Sequence, residues 1–197
     1  MRACVARFVP ALLLAGCSAL PTAIEAPADA NAPLIAPGQV LALPRPADVG
    51  RRIMAAQLIT VKRGAQTFAF EGHLNVRPDR VVFIGLDSVG RRAVTIEWNG
   101  RDISAEVAPW LPDTVRPGSL LADLILIYWP EQSVRNALPP GGELVQDPHS
   151  RTIRIAGREV LHADYDWAIG ARWNGNLRYS NFAWGYQIEV QSSEIRQ

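Results

Sequence analysis

Only two cysteines occur in the 197 residues, Cys4 and Cys17, and both lie at the extreme N-terminus. The folded part therefore has no thiol to close a disulfide, and covalent staples play no part in its stability. Lysine is almost missing too: of 20 basic residues only Lys62 is a lysine, the rest being arginine. That bias reads as genome base composition rather than phosphate recognition. A formal net charge of +1 leaves no strongly basic face, so a nucleic-acid partner is not expected. No apolar run reaches the roughly 20 residues of a membrane span. Strand–helix alternation is absent as well, which excludes a parallel sheet.

Catalytic signatures are equally sparse. Gly85-Leu86-Asp87-Ser88-Val89-Gly90 places two residues between glycine and serine, where a nucleophile elbow has one. His162 and Asp164 lie two apart and share a strand face, a start toward a metal site or a base, but no third ligand is evident. His149 falls in a loop, and His73 lies beside Glu71 on a wet face. The sequence thus predicts no catalytic residue, no metal and no cofactor.

The N-terminus is informative. Arg2 and Arg7 precede a short apolar stretch, residues 8–15, which ends in Leu14-Ala15-Gly16-Cys17. This is the layout of a signal peptide, residues 1–16. Its last four residues resemble the bacterial lipobox. That resemblance implies cleavage before Cys17, acylation of Cys17 as the lipid anchor, and, with Ser18 next, an outer-membrane address. More than one acyl chain suffices for stable anchoring. Residues 17–49 are rich in Ala and Pro, lack any sustained period, and read as a semi-rigid tether. Packing of residues 37–46 along the domain surface is the other reading. Residues 50–197 form the folded domain.

That domain is organised around residues 119–138. Leu120, Leu121, Leu124, Ile125, Leu126, Ile127, Tyr128 and Trp129 leave no polar face, so this helix is buried. Ser119 is its expected N-cap, and Pro130 divides it from a second piece. Asp123 is the odd group, predicted to form a buried hydrogen bond to the sheet by capping or by pairing with an arginine. Strands are read at residues 54–62, 66–76, 80–86, 91–98 and 101–107 before the helices. Residues 142–146, 151–155, 158–165, 176–181 and 184–191 follow. In residues 66–76, Phe68, Phe70, Gly72, Leu74 and Val76 alternate with polar residues, the mark of a sheet with one wet side. The apolar run at 80–86 predicts a strand covered on both sides. Asn99-Gly100 predicts a two-residue type I′ hairpin. The fold class is mainly β: a curved antiparallel half-barrel of about ten strands with a helical plug or lid. Phe68, Phe70, Phe83, Val94 and Ile96 from the sheet, with Leu120, Leu124 and Trp129 from the helix, are the candidate cavity residues.

The motif Leu120-Leu121-Ala122-Asp123-Leu124, leading into Tyr128-Trp129-Pro130, resembles the bacterial lipoprotein family known as domain of unknown function 3261. Gly85, Leu86 and Gly90 before it and residues 158–165 after it share that resemblance. Members occur beside aryl-polyene biosynthesis genes. More distantly the chain resembles the outer-membrane receptor LolB and its periplasmic partner LolA. The resemblance implies a half-barrel receiving acyl chains, an aryl-polyene or lipoprotein cargo, a LolA-like carrier as partner, and a monomer. In LolB a leucine between the third and fourth strands helps insert cargo into the membrane, and Val89 stands in its place here. Two other readings compete. One is an assembly factor docking a partner through Trp167, Trp173 and Trp184, which their exposure would favour. The other is a lipid hydrolase using Ser88 or His162.

Overall fold

The computed structural model describes residues 29–168 and 170–195. The signal peptide, the lipobox with Cys17 and the first part of the tether lie outside the described residues. In chain order the elements are β1 (Leu34–Ala36), β2 (Gln39–Val40), a 3₁₀ turn (Pro46–Val49), β3 (Ile53–Arg63), β4 (Gln66–Arg77), β5 (Arg80–Leu86), β6 (Arg92–Trp98) and β7 (Ile103–Val107). Helices α1 (Pro117–Tyr128) and α2 (Glu131–Ala137) follow. The chain ends with β8 (Gly142–Gln146), β9 (Ser150–Ile155), β10 (Arg158–Tyr165), β11 (Gly175–Asn181) and β12 (Tyr186–Glu194).

Strands β3 to β12 form one ten-stranded sheet in the order β7-β6-β5-β4-β3-β12-β11-β10-β9-β8. Every neighbouring pair is antiparallel. The edges β7 and β8 do not pair, so the sheet stays open, half-barrel-like. The chain leaves one edge through α1 and α2 and re-enters at the other. The helical insert therefore spans the open side. Inward residues of β3, β6, β9, β10 and β12 and the apolar body of α1 belong to one buried core. Ile125, Leu126 and Trp129 are wholly buried. Each such side chain contributes about 1.5–3 kcal/mol on burial.

Several local expectations are corrected. Helix α1 begins at Pro117, not after Ser119. Proline suits the first helical position because its missing N–H would have had no partner there. Ser119 is buried, and its hydroxyl has no partner among the described residues. Asn99-Gly100 is not a two-residue turn: Trp98 pairs with Ile103, and Asn99 Oδ1 accepts from the N–H groups of Arg101 and Asp102. The asparagine side chain, with the Asn99 N–H donating to Asp102 O at 3.3 Å, closes the loop without a type I′ turn at Asn99-Gly100. Type I′ geometry occurs at Ala156-Gly157, both with positive φ, 49° and 77°. Strand β5 is fully buried at Val81 and Gly85 on its inward face, whereas Val82 and Ile84 on the other face are half-buried rather than fully covered.

The tether boundary also moves. Ile35 and Leu41 are each 1% exposed and sit in the main core. Gly118 N–H donates to Ala30 O at 3.0 Å, and Ala42 N–H donates to Ala137 O at 3.0 Å. Residues 29–49 thus cover the side of the helices that the open sheet leaves bare. The segment crosses the start of α1 closely: a Cβ on Gly118 would stand 2.3 Å from the carbonyl oxygens of Asn31 and Ala32. Gly118→Ala is expected to push this segment off the helix, at a cost of about 1–3 kcal/mol. Limited proteolysis would check it: cleavage within residues 29–49 should become faster than in the wild type.

Candidate functional site

The core does not fill the hollow. A cavity of about 550 Å³ lies between α1 and the inner face of β3, β4, β5, β6, β11 and β12. Side chains on β3 grade from one end to the other. Ile53 and Ala55 are buried in solid core, Gln57 borders the cavity, Ile59 and Val61 are half-buried, and Arg63 is exposed. From Gln57 to Arg63 the strand rises roughly 20 Å. The cavity therefore has a closed floor at Gln57 and a mouth at the β3–β4 turn and the loop 108–116.

Seven of the eight candidate cavity residues are brought together. Phe68, Phe70, Phe83, Val94, Ile96, Leu120 and Leu124 all line the cavity. Trp129 does not. Leu120, Leu124 and Tyr128 form an i, i+4, i+8 stripe, and the next residue is rotated by about 100°. Trp129 instead packs against Trp98 at 6.4 Å between centroids, and its Nε1–H donates to Arg45 O at 3.2 Å. Val89 tops the β5–β6 loop at 74% exposure. Trp110 and Phe182, also exposed, stand at the same end of the sheet.

The floor was not foreseen. Gln57 Nε2 donates to Ser192 Oγ at 2.9 Å and to Tyr128 OH at 3.4 Å. Below it, Tyr128 stacks on Trp173, centroids 4.4 Å apart, and Trp167 stacks on Tyr165 at 4.1 Å. Burial pushes the Tyr128 phenol up to about 12, so it stays neutral. Arg151 and Arg172 hold the end of α1. Arg151 donates to Leu126 O at 2.7 Å and Trp129 O at 3.0 Å, and Arg172 to Trp129 O at 3.1 Å. Cations at a helix C-terminus satisfy the last carbonyls and oppose the dipole. A signal for Gln57 was present: it is the one polar residue in the inward phase Ile53, Ala55, Gln57, Ile59, Val61.

Asp123 is fully buried, but no arginine among the described residues reaches it. Asn181 Nδ2 donates to Oδ1 at 2.9 Å, and the Tyr186 hydroxyl donates to Oδ2. The β11–β12 turn, rather than a cation, delivers its partners. Burial raises the carboxyl to about 7 despite these hydrogen bonds. The same burial, with the carboxyl alongside, pushes Tyr179 and Tyr186 well up.

The remaining candidates lie elsewhere. His162 and Asp164 project from the outer sheet face, with His162 Nδ1 2.8 Å from Thr152 Oγ1 and Nε2 3.2 Å from Asp164 Oδ1. Ser88 is exposed in the β5–β6 turn. Among the described residues no group of three or more His, Cys, Asp or Glu could hold a metal ion. Trp167 and Trp173 are buried and Trp184 is half-buried, so the three form no exposed docking edge.

No curated protein matches the chain. Among solved structures, the crystal structure of a DUF1329 family protein from Desulfovibrio piger is similar, with 8% identity and a TM-score of 0.31 over 75% of this chain and 87% of that one. The family model for the protein of unknown function DUF3261 matches residues 54–194, which include both helices and, apart from Ile53, the whole ten-stranded sheet. The chain therefore belongs to the DUF3261 family.

Proposed function

We propose that the protein is a non-catalytic outer-membrane lipoprotein that binds, and receives or hands over, a lipid-like cargo beneath α1. The observation that carries this reading is the half-open cavity of about 550 Å³, walled by aliphatic and phenyl side chains and closed at one end. Its size falls within the roughly 300–1,000 Å³ of small-molecule sites. A blind apolar channel about 20 Å deep suits an extended acyl or polyene chain better than a compact ligand. Three further parts belong to the proposal: anchoring through Cys17, delivery by a LolA-like periplasmic carrier, and contact of the Val89 loop with membrane or cargo. Exposure of Val89, Trp110 and Phe182 at the mouth end supports the last.

Leu124→Glu tests the reading. It places a carboxylate on the cavity wall, where an unpaired charge is strongly disfavoured beside hydrocarbon. The delipidated full chain should bind a fluorescent fatty-acid probe saturably. The Glu variant should bind at least about a hundredfold more weakly, and Leu124→Met should bind like the wild type. Absence of any saturable site in the wild type would sink the proposal.

A further inference from the structure

We propose that the cargo is a linear amphiphile whose buried end carries a neutral hydroxyl, received by the carboxamide of Gln57 at the cavity floor. This rests on the reading of the cavity as a cargo site and names the chemistry of what enters it.

A cavity made only to hold hydrocarbon has no use for an amide at its base. Gln57 is 4% exposed and stands between Ala55 and Ile59 on the inward face of β3. Its Nε2 is held by Ser192 Oγ and Tyr128 OH. Its carbonyl oxygen accepts no hydrogen bond from the described residues, although a carboxamide oxygen has two lone pairs to satisfy. That oxygen is not sealed in protein: among the described residues the buried side-chain atoms without a partner are Thr95 Oγ1 and Ser119 Oγ, so the Gln57 oxygen faces open space where an incoming donor can reach it. The open space beside Gln57 is the cavity. A ligand hydroxyl arriving down the channel would donate to that oxygen. It could also accept, so the assignment of the amide nitrogen and oxygen does not change the ligand class.

The floor also selects against charge. Its hydroxyls are neutral, and the two arginines beneath are engaged by the α1 carbonyls of Leu126, Tyr128 and Trp129. A carboxylate at the floor would lose its hydration with no cation in return. At the mouth, Arg63 is exposed and borders the cavity. A chain with a charged head would therefore lie head outward and far end inward.

The test compares dodecanoate with ω-hydroxydodecanoate by calorimetric titration of the delipidated full chain. The wild type should bind the hydroxylated chain at least as tightly as dodecanoate. Gln57→Leu should lower the affinity for the hydroxylated chain relative to that for dodecanoate about tenfold or more, since a buried hydroxyl without a partner is costly. Melting curves of both proteins show whether the variant is folded, and the wild-type comparison stands without it. If the wild type takes dodecanoate but disfavours the hydroxylated chain about tenfold, this inference falls and the cargo site survives. If Gln57→Leu is folded and changes neither affinity, the inference also falls. If neither chain binds, the cargo reading fails together with it.

Discussion

Arg151→Met is expected to lower the unfolding free energy by about 2–5 kcal/mol, a large share of the roughly 5–15 kcal/mol of an ordinary domain. Arg151 is 2% exposed. Its guanidinium serves Leu126 O at 2.7 Å, Trp129 O at 3.0 Å and Gln146 Oε1 at 2.6 Å. Burial and the nearby Arg172 push it down to about 10, still well above neutral, so it stays charged in service. Methionine fills similar length without a donor. Trp129 O would keep Arg172, but Leu126 O would be stranded away from water, and the half-buried Gln146 would lose its partner. Each stranded acceptor costs about 1–3 kcal/mol. Arg172→Ala should cost less, because it is half-buried and shares Trp129 O with Arg151. Urea unfolding monitored by tryptophan fluorescence measures both. A loss under about 1 kcal/mol for Arg151→Met would mean that solvent reaches the α1 carbonyls and that the floor is not sealed.

The sheet was legible because nearly every strand obeys one rule, apolar in and polar out. The bounds of β5, β8 and β10 coincide with those read from the sequence, and the edges of the other sheet strands move by one to three residues. Helix α1 was legible for the opposite reason, being apolar on every side. What escaped was non-local. An arginine inside a strand reads as a surface residue, and only the end of a helix 22 residues before it explains Arg151. Asp123 announces its burial, but its partners lie 58 and 63 residues away on the β11–β12 turn. Apart from the short β1–β2 pair, residues 29–49 carry no period because their backbone finds single partners on several elements. Trp129 was misplaced by phase: it belongs to the apolar run but not to the stripe that faces the sheet.

The same arithmetic explains why space remains above the floor. Ten strands make a wide inner surface, and a 12-residue helix is only about 18 Å long. Its C-terminal half meets the aromatic residues of the 166–174 segment and makes dry core. Its N-terminal half faces Phe68, Phe70 and Phe83 across open space. The dense packing is thus at the floor, and the open space lies toward the mouth.

Asp123→Asn is expected to flatten the dependence of stability on pH. The carboxyl sits at about 7 in the folded protein against 3.8 ordinarily, with burial the main cause. Between those values the folded state holds a proton that the unfolded chain has released. Stability from this group is therefore greatest below about pH 4 and falls as pH rises. The loss runs at about 1.4 kcal/mol per unit and totals about 4 kcal/mol by pH 7, where it is complete. Asparagine keeps the shape and cannot ionise. Its oxygen can still accept from Asn181 or Tyr186, and its amide can donate to the Tyr186 hydroxyl. The variant should match or slightly trail the wild type near pH 4 and exceed it by a few kcal/mol near pH 8. Urea midpoints across that range decide the matter. Parallel profiles for the two proteins would show that Asp123 ionises alike in folded and unfolded chains, and that water reaches α1 from the side of the β11–β12 turn.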